Sequence, residues 1–144
     1  MAVRVKLRIR AKGSGGEAVS PALVNSGFET EKPQLLIPVG LARVLGLWPP
    51  PITSLIAELG TAGGPVRNYL VPNALEVSIL TEERTTEPVE CDAIISHIEE
   101  EVLINDKLSD ELKIVMLKPG AGIWRFTDDP EGLSRRSEPP RYWI

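Results

Sequence analysis

The chain has 144 residues, 42% of them hydrophobic and 25% charged, with a net charge of −4. That length suits one domain whose core needs neither metal nor disulfide, and the acidic balance argues against a dedicated nucleic-acid binder. One cysteine, Cys91, excludes an internal disulfide, and one histidine, His97, leaves too few ligands for a zinc site, so no metal and no cofactor is expected.

The first residues alternate charged and apolar side chains and contain no apolar leader core. No stretch approaches the roughly 18 apolar residues of a membrane span. With a lone thiol, these features set the expectation of a cytoplasmic protein without a membrane partner. Aromatic residues are 5% of the chain, so the core should be aliphatic.

Val3 to Ala11 alternates strictly and predicts a strand with Val3, Val5, Leu7 and Ile9 facing inward. Gly13-Ser14-Gly15-Gly16 predicts a turn and Glu17 to Val24 a returning strand, in which Pro21 leaves one ladder position open. The polar loop Asn25 to Gln34 leads to the apolar run Leu35-Leu36-Ile37. Pro38 to Leu47 reads as a short helix with Pro38 in its first turn and Gly46 at its C-terminus. Its apolar face would carry Val39, Leu41, Ala42, Val44 and Leu45.

Pro49-Pro50-Pro51 is an extended connector. Ile52 to Leu59 and Val66 to Val71 flank a glycine-rich tip, Gly60-Thr61-Ala62-Gly63-Gly64, and predict a hairpin. Ala74 to Leu80 and Val89 to Ile95 are two further strands, and Val102-Leu103-Ile104 is a short buried run. Asn105 to Leu112 predicts a helix capped by Asn105 or Asp106. Lys113 to Leu117 and Gly122 to Phe126 complete the sheet around a Pro-Gly turn. The domain is placed at residues 1–127. The Pro- and Arg-rich tail, 128–144, reads as loosely ordered apart from an apolar end, Tyr142-Trp143-Ile144, able to dock.

Arg4, Lys6, Arg8, Arg10 and Lys12 stand in the first 16 residues without an acid among them. They read as the solvated face of a half-buried strand. The competing reading is a basic arm for RNA or an acidic partner. His97 and Cys91 are assigned structural roles, Cys91 as a half-buried apolar residue. Trp124 is placed against the sheet or a partner copy.

Two local patterns together carry a resemblance. One is Ala22-Leu23-Val24-Asn25-Ser26-Gly27, then Leu35-Leu36-Ile37-Pro38 and Leu41-Ala42-Arg43-Val44-Leu45-Gly46-Leu47; the other is Val102-Leu103-Ile104-Asn105-Asp106-Lys107-Leu108. In this order, with a glycine-rich hairpin between them, they resemble the retropepsin-like aspartic proteases over about residues 3–127. The resemblance implies a mostly-β closed barrel of acid-protease type with two short helices, acting as a homodimer that shares one cleft. Asn25, Ser26 and Gly27 then occupy the active-site triplet. Gly60, Thr61, Ala62, Gly63 and Gly64 form the flap, and Leu103, Ile104, Asn105 and Asp106 the second loop.

The chain departs from that pattern at two positions. Asn25 stands where the family has its catalytic aspartate, and an amide cannot take a proton from water near neutral pH. Loss of such a group lowers rate by about 10²–10⁴. Asn25 has three readings: native in a binding scaffold, an engineered inactivation, or compensated by another acid such as Glu29. Asp92 and Asp106 read instead as a solvated strand residue and a helix cap. The second departure, Asn105 for a glycine, is milder because Asn tolerates left-handed backbone. The expected function is peptide binding in the dimer cleft with impaired or no catalysis. The alternatives are an aspartic endopeptidase, and an interaction protein using the basic N-terminal strand.

Overall fold

A computed structural model of the chain describes residues 2–144. Its elements are β1 (Arg4–Ala11), β2 (Glu17–Val24), β3 (Gln34–Pro38), α1 (Val39–Val44), β4 (Leu55–Thr61), β5 (Gly64–Ile79), β6 (Val89–Ser96), β7 (Val102–Ile104), α2 (Asp106–Glu111), β8 (Ile114–Lys118), β9 (Ile123–Phe126) and β10 (Arg135–Arg136), with a 3-10 turn at Pro119–Ala121. The protein is mostly β, with two short α-helices.

Six strands close on themselves in the order β1-β2-β7-β3-β6-β5, and β5 returns to pair with β1. The ladders β2–β7 and β3–β6 are parallel and the other four antiparallel. Closure leaves the barrel wall without a free edge. The alternation read in β1 sets which side chains fill it: Val3, Val5, Leu7 and Ile9 are each at most 1% exposed. Leu35, Ile37, Leu75, Val77, Ile79, Ala93, Ile95, Val102 and Ile104 join them in one aliphatic core.

α1 sends Leu41 and Ala42 into that core, and Leu45, the residue that caps its C-terminus, joins them. Val44, expected on its apolar face, is 53% exposed, because a six-residue helix presents only about one stripe inward. Gly46 follows the helix at φ +75°, and the Leu47 N–H returns to the Ala42 carbonyl. The turn before β2 locks onto this helix end, where Ser14 Oγ donates to the Leu45 carbonyl at 2.5 Å. Gly16 packs so close that a Cβ there would stand 2.8 Å from the Leu45 oxygen.

Three expectations change. The strands predicted at Val66 to Val71 and Ala74 to Leu80 are one 16-residue strand, β5, with an irregularity between Val71 and Leu75. Asn73 adopts φ +50° there, which Asn accommodates better than most residues. The chain near Lys113 to Phe126 does not finish the barrel sheet; β8, β9 and β10 form a separate three-stranded sheet. It contributes Ile114, Trp124 and Phe126 to the main core.

The tail is also more ordered than its composition suggests. Arg135 and Arg136 pair with Trp124 and Ile123, and Arg4 N–H donates to Ser137 Oγ at 2.7 Å. Arg135 grips Asp129 with two 2.9 Å hydrogen bonds and also reaches Glu83. Trp143 Nε1 donates to Ser20 Oγ at 2.9 Å. Charged and aromatic contacts thus hold a segment with little apolar surface of its own.

Candidate functional site

Outside the barrel lies a second, smaller apolar cluster. Leu36 of β3, Ile94 of β6 and Leu103 of β7 point away from the core yet remain buried, and Leu23, Phe28, Leu59 and Leu70 pack around them. Outward-facing apolar residues on a barrel wall need a cover. Part of the cover is the β4–β5 hairpin, and between hairpin and wall runs an open groove of about 470 Å³.

Five separate stretches of the chain meet in this groove. Asn25, Gly27, Phe28 and Glu29 come from the loop after β2. Leu59, Gly60, Thr61 and Ala62 come from the hairpin, followed by Val66 and Asn68 on its return strand. Leu36 and Leu103 form the floor, and Ser96, Ile98 and Glu99 the far edge. Of the residues singled out from sequence, Ser26, Gly63, Gly64, Ile104, Asn105 and Asp106 do not line it.

The loop is tied to the barrel by backbone bonds at both ends. Asn25 N–H donates to the Ile104 carbonyl at 3.1 Å, and Asp106 N–H donates to the Phe28 carbonyl at 3.0 Å. The two candidate loops, 25–27 and 103–106, are therefore stitched directly together. Gly27 has φ +96°, a conformation that an L side chain rarely adopts, so the turn after Asn25 requires glycine. Asn25 is half-buried, and its carboxamide has no hydrogen-bond partner among the described residues. Ser26 is exposed.

The hairpin tip is a two-residue turn at Ala62 and Gly63, with Thr61 paired to Gly64. Thr61 Oγ1 donates to the Gly64 carbonyl at 2.6 Å and accepts the Gly63 N–H at 3.2 Å, which fixes the turn without outside contacts. Strand β4 pairs only with β5 among the described residues, so its other edge is free.

Asn105 does not use the left-handed backbone that its place in the pattern suggests. Its φ is −80° and ψ 171°, and its side chain is fully buried. Oδ1 accepts the N–H groups of Leu108 and Gln34 at 2.9 and 3.0 Å, while Nδ2 donates to Thr30 Oγ1 and the Lys32 carbonyl at 2.8 Å each. It caps α2 and anchors the far end of the loop that begins at Asn25. Asp92, read as solvated, is 7% exposed and accepts from Gln34 Nε2 at 3.0 Å and Asn73 N–H at 2.7 Å. Its carboxylate holds the irregularity in β5 rather than reaching the groove.

Among the described residues the groove holds two carboxylates, Glu29 and Glu99, and no cationic side chain. Both are exposed. Cys91 is buried, not half-buried, and burial pushes its thiol up to about 12, with the neighbouring Asp92 charge adding to the effect. It has no thiolate to offer a substrate. His97 is exposed just beyond β6, outside the groove lining. Trp124 is in the core, edge-on to Phe126 at 4.9 Å. Among the described residues no cluster of His, Cys, Asp and Glu could hold a metal ion, and no helix is long and apolar enough to cross a membrane.

No family model matches the chain, and a search of curated proteins finds no match. Asn68, Ile98 and Glu99 join the site without belonging to the sequence patterns above. Asn68 was recognisable in principle, as the one polar residue between Val66 and Leu70 on a period-two apolar face. Ile98 and Glu99 reach the groove through a turn in which Ser96 Oγ accepts both their N–H groups, at 3.2 and 3.0 Å.

Proposed function

We propose that this chain is a retropepsin-like scaffold that binds extended peptide segments in its groove, working as a homodimer and lacking efficient catalysis. One observation carries the reading: Asn25 and Gly27, the hairpin residues Gly60 to Ala62, and Leu103 line a single groove. They belong to the two patterns and the glycine-rich hairpin between them on which the resemblance rests. The free edge of β4 supports β-strand addition, in which main-chain bonds supply affinity and alternate side chains supply preference.

Asn25 decides against acid–base work as the chain stands. Water activation by an aspartic dyad needs one ionised and one protonated carboxyl group. A carboxamide at this position can position a ligand through hydrogen bonds, but it cannot move the proton. Glu29 is exposed on the groove lining, four residues beyond the triplet position.

The basic-arm reading loses ground because several cations of the N-terminal stretch have partners. Arg4 pairs with Glu101 at 2.7 Å, Arg10 with Glu76 at 3.0 Å and Lys12 with Glu90 at 3.1 Å.

The test exposes the protein and Asn25→Asp to a diverse peptide mixture from acidic to neutral pH, with and without a statine-type inhibitor. Retained peptides and new termini are read by mass spectrometry, and sedimentation gives the mass in solution. The expected result is saturable retention by both proteins, with inhibitor-sensitive cleavage only by Asn25→Asp. Retention of nothing by a folded protein removes the binding reading. Cleavage by the unaltered chain makes it an endopeptidase, and a strict monomer removes the shared cleft.

A further inference from the structure

On the groove side of the hairpin, Leu55 stands opposite Leu70, Ala57 opposite Asn68 and Leu59 opposite Val66. Cross-strand partners share a face, so over these three pairs the surface is apolar except for one carboxamide. Asn68 is 4% exposed, and its Oδ1 has no hydrogen-bond partner among the described residues. Its Nδ2 makes only a 3.4 Å contact to the Val66 carbonyl on its own strand. A buried acceptor left unpaired destabilises the free protein, and such atoms are rare enough in folded proteins to need a reason.

A ligand that brings a donor supplies that reason. An extended peptide placed between the hairpin and the barrel wall offers backbone N–H groups at strand spacing. Leu36, Leu103 and Phe28 offer its side chains an apolar floor. Charge adds a preference. Glu29 and Glu99 line the groove, no cation offsets them there, and neither forms an ion pair among the described residues.

We infer that the groove selects an extended segment with an apolar residue flanked by Lys or Arg, seated by a backbone N–H donated to Asn68 Oδ1. This rests on the peptide-binding reading above and adds the ligand's chemistry to it. Asn68 is a positioning residue whose carboxamide is held unsatisfied in the free protein. The rim carboxylates select charge and leave the hydrogen bond unchanged.

The test is calorimetric titration with capped nonapeptides in three sets: Leu- or Val-centred with Lys and Arg flanks, the same centres with Glu flanks, and the basic set N-methylated at one backbone position at a time. The proteins are the unaltered chain, Asn68→Leu, and the double variant Glu29→Gln with Glu99→Gln. The unaltered chain should bind the basic set about tenfold more tightly than the acidic set, and the double variant should lose that difference. Methylation at one position should weaken binding about five- to tenfold in the unaltered chain and have no effect in Asn68→Leu. Asn68→Leu should also melt about 3 °C higher, since it removes an unpaired buried acceptor. A purely structural Asn68 would lower the melting temperature when replaced.

Equal affinity for basic and acidic sets, or no methylation-sensitive position, overturns this inference while leaving peptide binding intact. A sensitivity that Asn68→Leu retains belongs to main-chain bonds with β4 and also overturns the hydrogen bond to Asn68; where Asn68→Leu does not fold, Asn68→Ala takes its place in the comparison. Absence of binding to every set by the unaltered chain overturns both readings together.

Discussion

Asn105 Oδ1 accepts the Gln34 backbone N–H at 3.0 Å while the same atom caps α2 through Leu108 N–H at 2.9 Å. One side chain therefore sets the first residue of β3 and the start of a helix 71 positions further on. Its Nδ2 completes the arrangement on Thr30 and Lys32, leaving the carboxamide saturated. Asn105→Ala removes the cap and strands several buried groups together. We expect a loss of about 3 kcal/mol in urea unfolding, above the usual effect of a cap alone.

Acid should loosen the tail. The paired hydrogen bonds from Arg135 hold the Asp129 carboxyl below the usual carboxylate range, against the opposing effect of its burial. The contact with Arg135 also lowers Glu83. The unfolded chain binds protons at these groups more readily than the folded one. Their stabilisation is complete above the unfolded carboxylate range and fades as pH falls through the folded values. Urea midpoints should fall from about pH 5 down to pH 3, with a shallower fall in Arg135→Gln.

Thiol labelling separates native from opened protein. With the Cys91 thiol pushed up to about 12 and the residue 3% exposed, iodoacetamide at mildly alkaline pH should leave the folded chain unmodified. Full modification in denaturant, read by intact mass, completes the check. Native labelling at the rate of a free thiol would contradict the packing around β6.

The last four residues act as a latch. Trp143 N–H donates to the Glu100 carbonyl at 2.7 Å, its indole reaches Ser20, and the Arg141 guanidinium lies 3.8 Å over the ring. Deleting residues 141–144 should lower stability by about 2 kcal/mol and leave the secondary structure seen by circular dichroism unchanged.

Local periodicity makes most of the barrel readable from sequence. β1 and β2 follow from alternation and a glycine turn, and α2 from its Asn cap, because each is encoded within a dozen residues. What sequence hides depends on distant partners. Asp92 looks like one more charge in an acidic stretch until Gln34 and Asn73 surround it. Tail order comes from Arg135 and Trp143 finding partners more than 40 residues away, which no local composition encodes. At the groove, glycines and the Asn25 triplet are visible as a pattern. Asn68 is visible as one polar residue on an apolar face, but its unpaired Oδ1 is a property of the folded arrangement.

The irregularity in β5 constrains how this chain can change length. Between the pair Val71–Ala93 and the pair Leu75–Cys91, β5 advances four residues while β6 advances two. The surplus is even, so Val71 and Leu75 both face the core although the ladder has slipped between them. An insertion or deletion of a single residue at Pro72 to Ala74 would reverse the parity. Ile56 and Tyr69 would then turn toward the groove, and Leu59, Val66 and Asn68 toward water. Two-residue changes would preserve both surfaces. Descendants of this sequence, natural or engineered, should therefore vary here in steps of two.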